Sequence, residues 1–117
     1  MIPQGQCMQD RRQCERFPIY EPAGYQRKQE LPIEGSIAED ISLTGLKLKV
    51  NEFIPQNSVI ELQIHLPGLV QIIPARATVV WVKEIPYRDD SWELGLQLAS
   101  NEPLSTAIRD YINLRRF

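Results

Sequence analysis

The sequence predicts a mainly β fold, an antiparallel barrel or sandwich followed by one C-terminal helix. Three observations support this prediction. Short apolar segments alternate with polar residues, turn-forming residues separate these segments, and a helical period replaces the alternation only after residue 100. Successive short strands with tight connections are typical of antiparallel barrels and sandwiches. The length of 117 residues is enough for one domain with its own core.

The clearest strand covers residues 46–50, where Leu46, Leu48 and Val50 alternate with Lys47 and Lys49. This pattern is typical of a strand with one buried face and one solvated face.

The remaining segments fit the same plan. Residues 33–39 and 92–98 read as strands, and residues 60–66 alternate so that His65 falls on the polar face. Two further apolar stretches surround Pro74, which predicts a break or a sheet edge there. In the second stretch, the apolar neighbours of Trp81 predict a place in the core.

The last segment changes period. An amphipathic helix is predicted over residues 102–115, with Pro103 in its first turn. Its apolar residues recur at helical spacing and are Leu104, Ile108, Tyr111 and Ile112. We expect this apolar stripe to pack on the barrel, although a dimer seam is an alternative.

The composition of the chain disfavours several classes of function. Hydrophobic residues make up 43% of the chain, charged residues 24%, and the net charge is −2. This balance disfavours a nonspecific nucleic-acid binder, which usually has a basic face. No apolar run reaches the length of a membrane span, and the first residues lack the apolar core of a secretory signal. We therefore expect a cytoplasmic protein, with Cys7 and Cys14 as free thiols.

Two short motifs lie about two dozen residues apart. The first is an R-x-x-x-R pattern formed by Arg12 and Arg16, with Arg11 directly before it. The second is a D-x-S-x-x-G pattern formed by Asp40, Ser42 and Gly45. Each motif alone is weak evidence, because short patterns of common residues arise by chance.

Together, in this order and before β-patterned sequence, the motifs resemble the PilZ family, which binds the bacterial second messenger cyclic diguanylate (c-di-GMP). The resemblance spans the chain from about Arg11 to its end. It implies a six-stranded antiparallel split barrel with a C-terminal helix. The single domain would comprise a flexible tail (1–10), an arginine arm (11–16), a barrel (17–100) and a helix (102–115).

The motifs carry chemistry that suits such a ligand. An arginine guanidinium matches the paired acceptors of guanine and also the oxygens of phosphate. The Asp40 carboxylate can accept from the N1–H and amino donors of guanine. Ser42 offers a hydroxyl within the same turn, and Gly45 permits a positive φ and close backbone approach. A plain turn capped by Asp and Ser is compatible with the same residues.

The resemblance also implies that Trp81 could contact a guanine, as an alternative to its core role. An arginine at position 11 goes with capture of two ligand molecules in such relatives. The predicted ligand-binding residues are therefore Arg11, Arg12, Arg16, Asp40, Ser42, Gly45 and Trp81.

No set of residues in the sequence suggests catalysis or metal binding, so we expect neither an enzyme nor a cofactor. The leading hypothesis is a bacterial c-di-GMP receptor, a monomer or weak dimer, that relays the signal to a partner protein. The alternative is a PilZ-type adaptor that binds proteins and not the nucleotide. A barrel for single-stranded nucleic acid is disfavoured by the acidic pI of about 5.4. Binding to membranes is not expected.

Overall fold

The structure is a computed structural model that describes residues 16–88, 90–100 and 102–115 of the chain. These residues form six strands and one helix. The strands are β1 (Phe17–Gln26), β2 (Glu34–Ile41), β3 (Gly45–Val50), β4 (Val59–Ile64), β5 (Ile73–Glu84) and β6 (Trp92–Leu98), and the helix is α1 (Glu102–Arg115).

The strands form one closed barrel in the order β1-β2-β3-β6-β5-β4. Every neighbouring pair is antiparallel, and the barrel closes where β1 pairs with β4, with Tyr25 opposite Leu62. The prediction of a mainly β, six-stranded antiparallel barrel with a C-terminal helix is confirmed. Closure also removes the free sheet edges that would otherwise invite pairing with another chain.

The alternating segments turn their apolar side chains into the barrel. Leu46, Leu48 and Val50 of β3 are each at most 1% exposed, whereas Lys47 and Lys49 remain half-exposed on the outer face. The alternation follows from strand geometry, because successive side chains point to opposite faces of a sheet.

Of the two positions that the sequence predicts for Pro74, a break or a sheet edge, the structure shows the edge. The loop before β5 leaves Val70 99% exposed, and β5 then runs through Pro74, which lies opposite Gln63 of β4. The pairing of β5 with β6 begins only at Ala77. Pro74 is therefore an edge position, where a missing backbone donor is tolerated.

The helix α1 packs against β5 and completes the core. Its apolar stripe is buried and belongs to the same hydrophobic cluster as the barrel interior. The stripe consists of Leu104, Ile108, Tyr111 and Ile112. The burial of this stripe supports packing within the chain, as the helical spacing indicated. In the part of the chain that the structure describes, no helix has the length and apolarity needed to cross a membrane.

Candidate functional site

Arg16, directly before β1, contacts the carboxylate of the second motif. Its Nε donates a hydrogen bond of 2.8 Å to Oδ1 of Asp40, across 24 positions of sequence. The guanidinium also lies close to Gly45, since a Cβ added there would be 3.5 Å from Arg16 Nη1. The fold thus joins the end of the predicted arginine arm to the D-x-S-x-x-G turn. Arg11 and Arg12, like Cys7 and Cys14, lie outside the described residues.

Ser42 shapes the turn between β2 and β3. It is only 1% exposed, and its backbone N–H donates to the carbonyl of Gly45 at 2.9 Å. In return, the N–H of Gly45 donates to the Ser42 hydroxyl at 3.1 Å. Because the buried hydroxyl is engaged within the turn, Ser42 contributes mainly by fixing the position of its neighbours.

Gly45 is needed for close packing and not for a left-handed backbone. Among the described glycines, Gly68 alone has a positive φ, so the positive φ that the sequence allowed at Gly45 is not used. A Cβ at Gly45 would instead lie 3.0 Å from the carbonyl oxygen of Leu96. The absent side chain therefore permits the backbones of β3 and β6 to approach each other.

A β-bulge turns Asp40 to the outside of the barrel. Ala38 lies opposite Leu48 and Asp40 lies opposite Lys47, so Glu39 is an extra residue on β2. Ala38 is buried, and strict alternation would have placed Asp40 in the core with it. The extra residue reverses the inward and outward alternation of side chains, so the carboxylate of Asp40 points to the outer face.

A second β-bulge lies just before Trp81 on β5. Because of it, the predicted place of Trp81 in the core is wrong. Val79 lies opposite Leu96 and Trp81 lies opposite Gly95, so Val80 is the extra residue on β5. Val79 is fully buried, whereas Trp81 is 41% exposed on the outer face. The apolar neighbours correctly indicate a strand, but the bulge decides which face the indole takes.

The two bulges bring four positions into one line across four neighbouring strands. Asp40 lies opposite Lys47, Lys47 opposite Gly95, and Gly95 opposite Trp81. We call these four residues the outer row. Neighbouring strands are about 4.8 Å apart, so the row spans about 14 Å. Its middle is flat, because Gly95 has no side chain and the indole of Trp81 occupies that space.

Charged side chains surround the Asp40 end of the outer row. The Lys47 ammonium lies 3.6 Å from Oδ2 of Asp40 and 4.0 Å from Oε2 of Glu93. Burial, and then a hydrogen bond with Glu93, raise the pKa of Glu39 above its ordinary value. One oxygen of Glu39 is buried and has no hydrogen-bond partner among the described residues. Carboxylates and cations thus interleave at this end of the row.

A third bulge lies beside Asp40 on β1. The register shifts between Pro18 and Glu21, and Tyr20 in this bulge has a φ of 47° and a side chain that is 69% exposed. A left-handed backbone is uncommon for an aromatic residue and often marks a functional segment. Sequence reasoning missed Tyr20, because nothing in the local pattern indicates a bulge there.

The sequence also gave no reason to single out Lys47, Glu39 or Glu93. The alternation on β3 showed that Lys47 faces outward, but only the pairing of β2, β3 and β6 shows what lies beside it. Within residues 16–88, 90–100 and 102–115, no group of three or more His, Cys, Asp or Glu side chains could hold a metal ion.

Guanidinium and ammonium groups, an accepting carboxylate and an exposed indole suit an anionic ligand with flat, donor-bearing rings. The fold and the outer row thus define a small antiparallel barrel with a polar, partly charged surface on the outside of its sheet. A family model supplies the classification: the PilZ domain model matches residues 10–114, and the chain belongs to the PilZ domain family. No curated protein sequence matches the chain.

Two solved structures share the fold. The Bacillus subtilis inhibitor of motility MotI/DgrA is 17% identical, with a TM-score of 0.73 over 92% of this chain and 52% of its own. The Escherichia coli protein YcgR, solved in complex with c-di-GMP, is 15% identical, with a TM-score of 0.67 over 91% of this chain and 46% of its own. The present chain thus spans about half the length of each of these proteins.

Proposed function

We propose that this protein is a cytoplasmic receptor that binds c-di-GMP on the outer row and relays the signal to a partner protein, without enzymatic activity of its own. Membership in the PilZ domain family supports the proposal, as does the c-di-GMP complex of YcgR, which has a similar fold. The single observation that carries it is the hydrogen bond between Arg16 and Asp40, because it unites the two sequence motifs at one place.

The proposed roles follow from the chemistry of each group. Arg16, together with Arg11 and Arg12, supplies guanidinium groups for guanine edges and phosphate oxygens. The carboxylate of Asp40 accepts from the N1–H and the amino group of a guanine. Trp81 offers a flat, exposed surface on which a base can stack, a contact that contributes roughly 1–3 kcal/mol.

Asp40 retains the acceptor capacity that this role requires. A carboxylate offers about four lone-pair positions. The hydrogen bond from Arg16 uses one of them on Oδ1, and the ammonium of Lys47 lies 3.6 Å from Oδ2. The side chain of Asp40 is 18% exposed, so a guanine edge can reach the remaining positions while Arg16 holds the carboxylate in place.

Calorimetric titration of the purified protein with c-di-GMP tests the proposal. We expect saturable binding of c-di-GMP and much weaker binding of GMP. Arg16→Ala and Asp40→Asn should each lose most of the affinity, because an Asn amide presents a donor where guanine also presents donors. An absence of binding by the parent at about 100 μM ligand, which corresponds to roughly −5.5 kcal/mol, would leave the adaptor as the better reading.

Arg27→Ala is a matched control for Arg16→Ala. Arg27 follows the far end of β1 and also forms one ion pair, in which its Nη1 lies 3.2 Å from Oε1 of Glu52. The ten residues of β1 lie between the two arginines, so at about 3.3 Å per residue an extended strand puts them up to about 36 Å apart. We expect Arg27→Ala to bind like the parent, with melting curves showing that both variants fold. Equal affinity of the Arg16 and Arg27 variants would contradict the assigned site.

The relay to a partner has its own test. We propose that residues 11–16 close over the ligand and so change the surface that a partner protein meets. Ordering such a segment costs several kcal/mol of interaction energy, which charge-assisted hydrogen bonds can offset. Hydrogen exchange should therefore slow in residues 11–16 when c-di-GMP is added. Unchanged exchange there, with binding intact, would refute this relay and leave the binding site in place.

A further inference from the structure

Lys47 lies in the middle of the outer row and has no close hydrogen bond in either ion pair. Its ammonium is 3.6 Å from Asp40 and 4.0 Å from Glu93, both longer than a good hydrogen bond between an ammonium and a carboxylate. The side chain is 33% exposed, so water and solutes reach it. The ammonium can therefore turn towards a third anion without breaking a tight contact.

The register places this ammonium between the two ends of the proposed ligand site. Lys47 is one strand from Asp40 and two strands from Trp81. If a guanine edge meets Asp40 and a base stacks on Trp81, the sugar–phosphate ring that joins the bases must cross β3 and β6. On β6 the row has only Gly95, which has no side chain. On β3 it has Lys47, so Lys47 is the charged residue of the row on the two strands that the ring crosses.

The charges near β3 and β6 favour a cation at this position when an anion binds. Glu93 and the partly buried carboxyl of Glu39 lie beside the row, and Asp40 ends it. Arg16 offsets the charge of Asp40, but a phosphate that approached Glu93 on β6 without Lys47 would meet a carboxylate. A lysine ammonium, as a compact point charge with three donors, is well suited to a phosphate oxygen.

We propose that Lys47 binds a phosphate of the ligand and is a cationic contact outside both sequence motifs, the R-x-x-x-R pattern and the D-x-S-x-x-G pattern. This inference rests on the proposed function, because it names a further residue of the same site. Lys47 acts directly on the ligand, whereas a purely structural role would be to hold Asp40 in place.

Lys47→Met and Lys49→Met form a matched pair for the test. Both lysines lie on β3 and face outward two residues apart, and each has Glu93 nearby or opposite, but Lys49 is outside the outer row. The substitution removes the charge and keeps the apolar stem. Affinity for c-di-GMP is measured by calorimetry at 50, 150 and 300 mM salt, with melting curves for each variant.

We expect Lys47→Met to weaken binding by about tenfold or more, Lys47→Arg to restore most of it, and Lys49→Met to stay within about threefold of the parent. The affinity of Lys47→Met should also fall less steeply with salt, because one screened charge contact is gone. If Lys47→Met melts early, Lys47→Gln provides the same comparison with a polar side chain.

The outcomes separate this inference from the proposed function. Parent-like binding by Lys47→Met, or weaker binding with an unchanged salt dependence, overturns the phosphate contact and leaves the receptor standing. A parent protein that does not bind c-di-GMP at all overturns the receptor, and the role of Lys47 with it.

Discussion

Gly95→Ala should detach Trp81 from the outer row while the barrel remains folded. A Cβ built on Gly95 would lie within 2.5 Å of Cδ1 of Trp81 and closer still to two other indole atoms. Ordinary van der Waals contact begins at 3.4 Å, so the indole must retreat by about 1 Å or more. Because Trp81 is 41% exposed, it can swing into solvent and the strands need not move apart.

The expected loss of affinity follows from the stacking that the indole would otherwise provide. A base stacked on an aromatic side chain contributes roughly 1–3 kcal/mol, which corresponds to roughly a 5- to 150-fold change in Kd. The effect on stability should be small. A Gly→Ala change restricts the unfolded chain and stabilises by about 0.4–1 kcal/mol where the backbone allows it, which offsets part of the lost indole contact.

Calorimetry with c-di-GMP measures the affinity, and fluorescence reports the indole in a Trp92→Phe background, since the chain has two tryptophans. A double-mutant cycle identifies the cause. Trp81→Ala should weaken binding as Gly95→Ala does, and adding Gly95→Ala to Trp81→Ala should change little more. Strong non-additivity is expected because both substitutions act through the same side chain.

Gly35→Ala is the control. Gly35 is an exposed strand glycine, and a Cβ there would meet nothing within 4 Å. It should bind the ligand and fluoresce like the parent. Full affinity in Gly95→Ala with a displaced indole would refute a ligand contact at Trp81. A further loss when Gly95→Ala is added to Trp81→Ala would show that the glycine acts by another route.

Three further predictions concern other parts of the site. Burial and a hydrogen bond with Glu93 raise the pKa of Glu39 above its ordinary 4.5, so the folded protein binds the extra proton and this contribution to stability declines as the pH rises above 4.5. Urea unfolding should show the parent losing stability relative to Glu39→Gln from pH 4.5 towards neutrality, and a constant difference would contradict this. Ser42→Ala should cost about 1–3 kcal/mol in the same assay, because the N–H of Gly45 loses its acceptor; an unchanged midpoint would exclude that role. Calorimetry should give two ligands per chain for the parent and a ratio nearer one for Arg11→Leu, whereas a parent ratio of one would rule out the paired ligand.

Much of the fold was predictable because its signals are local. The alternation of Leu46, Leu48 and Val50 with two lysines depends only on the two-residue period of a strand, and their burial agrees with it. The helical stripe that includes Leu104 and Ile108 depends in the same way on the 3.6-residue period of a helix. The two motifs, read in order, were enough to indicate the family, and the family model confirms it.

The sequence also supplied Asp40 and Trp81 as candidate site residues, but it could not determine where their side chains point. Each follows a bulge, and one extra residue in a strand reverses the face of every residue beyond it. A bulge exists only relative to a partner strand, so no period within one segment reveals it. The alternation alone would have placed both side chains in the core.

Only the tertiary structure determined which side chains lie next to each other in the site. Lys47 meets Asp40 and Glu93 because β3 lies between β2 and β6, and β6 reaches β3 from 40 or more positions further along the chain. The hydrogen bond of Arg16 likewise depends on the pairing of β1 with β2. Local sequence sets the period and the chemistry of each strand, whereas contacts across strands arise from the closure of the barrel, to which all six strands contribute at once.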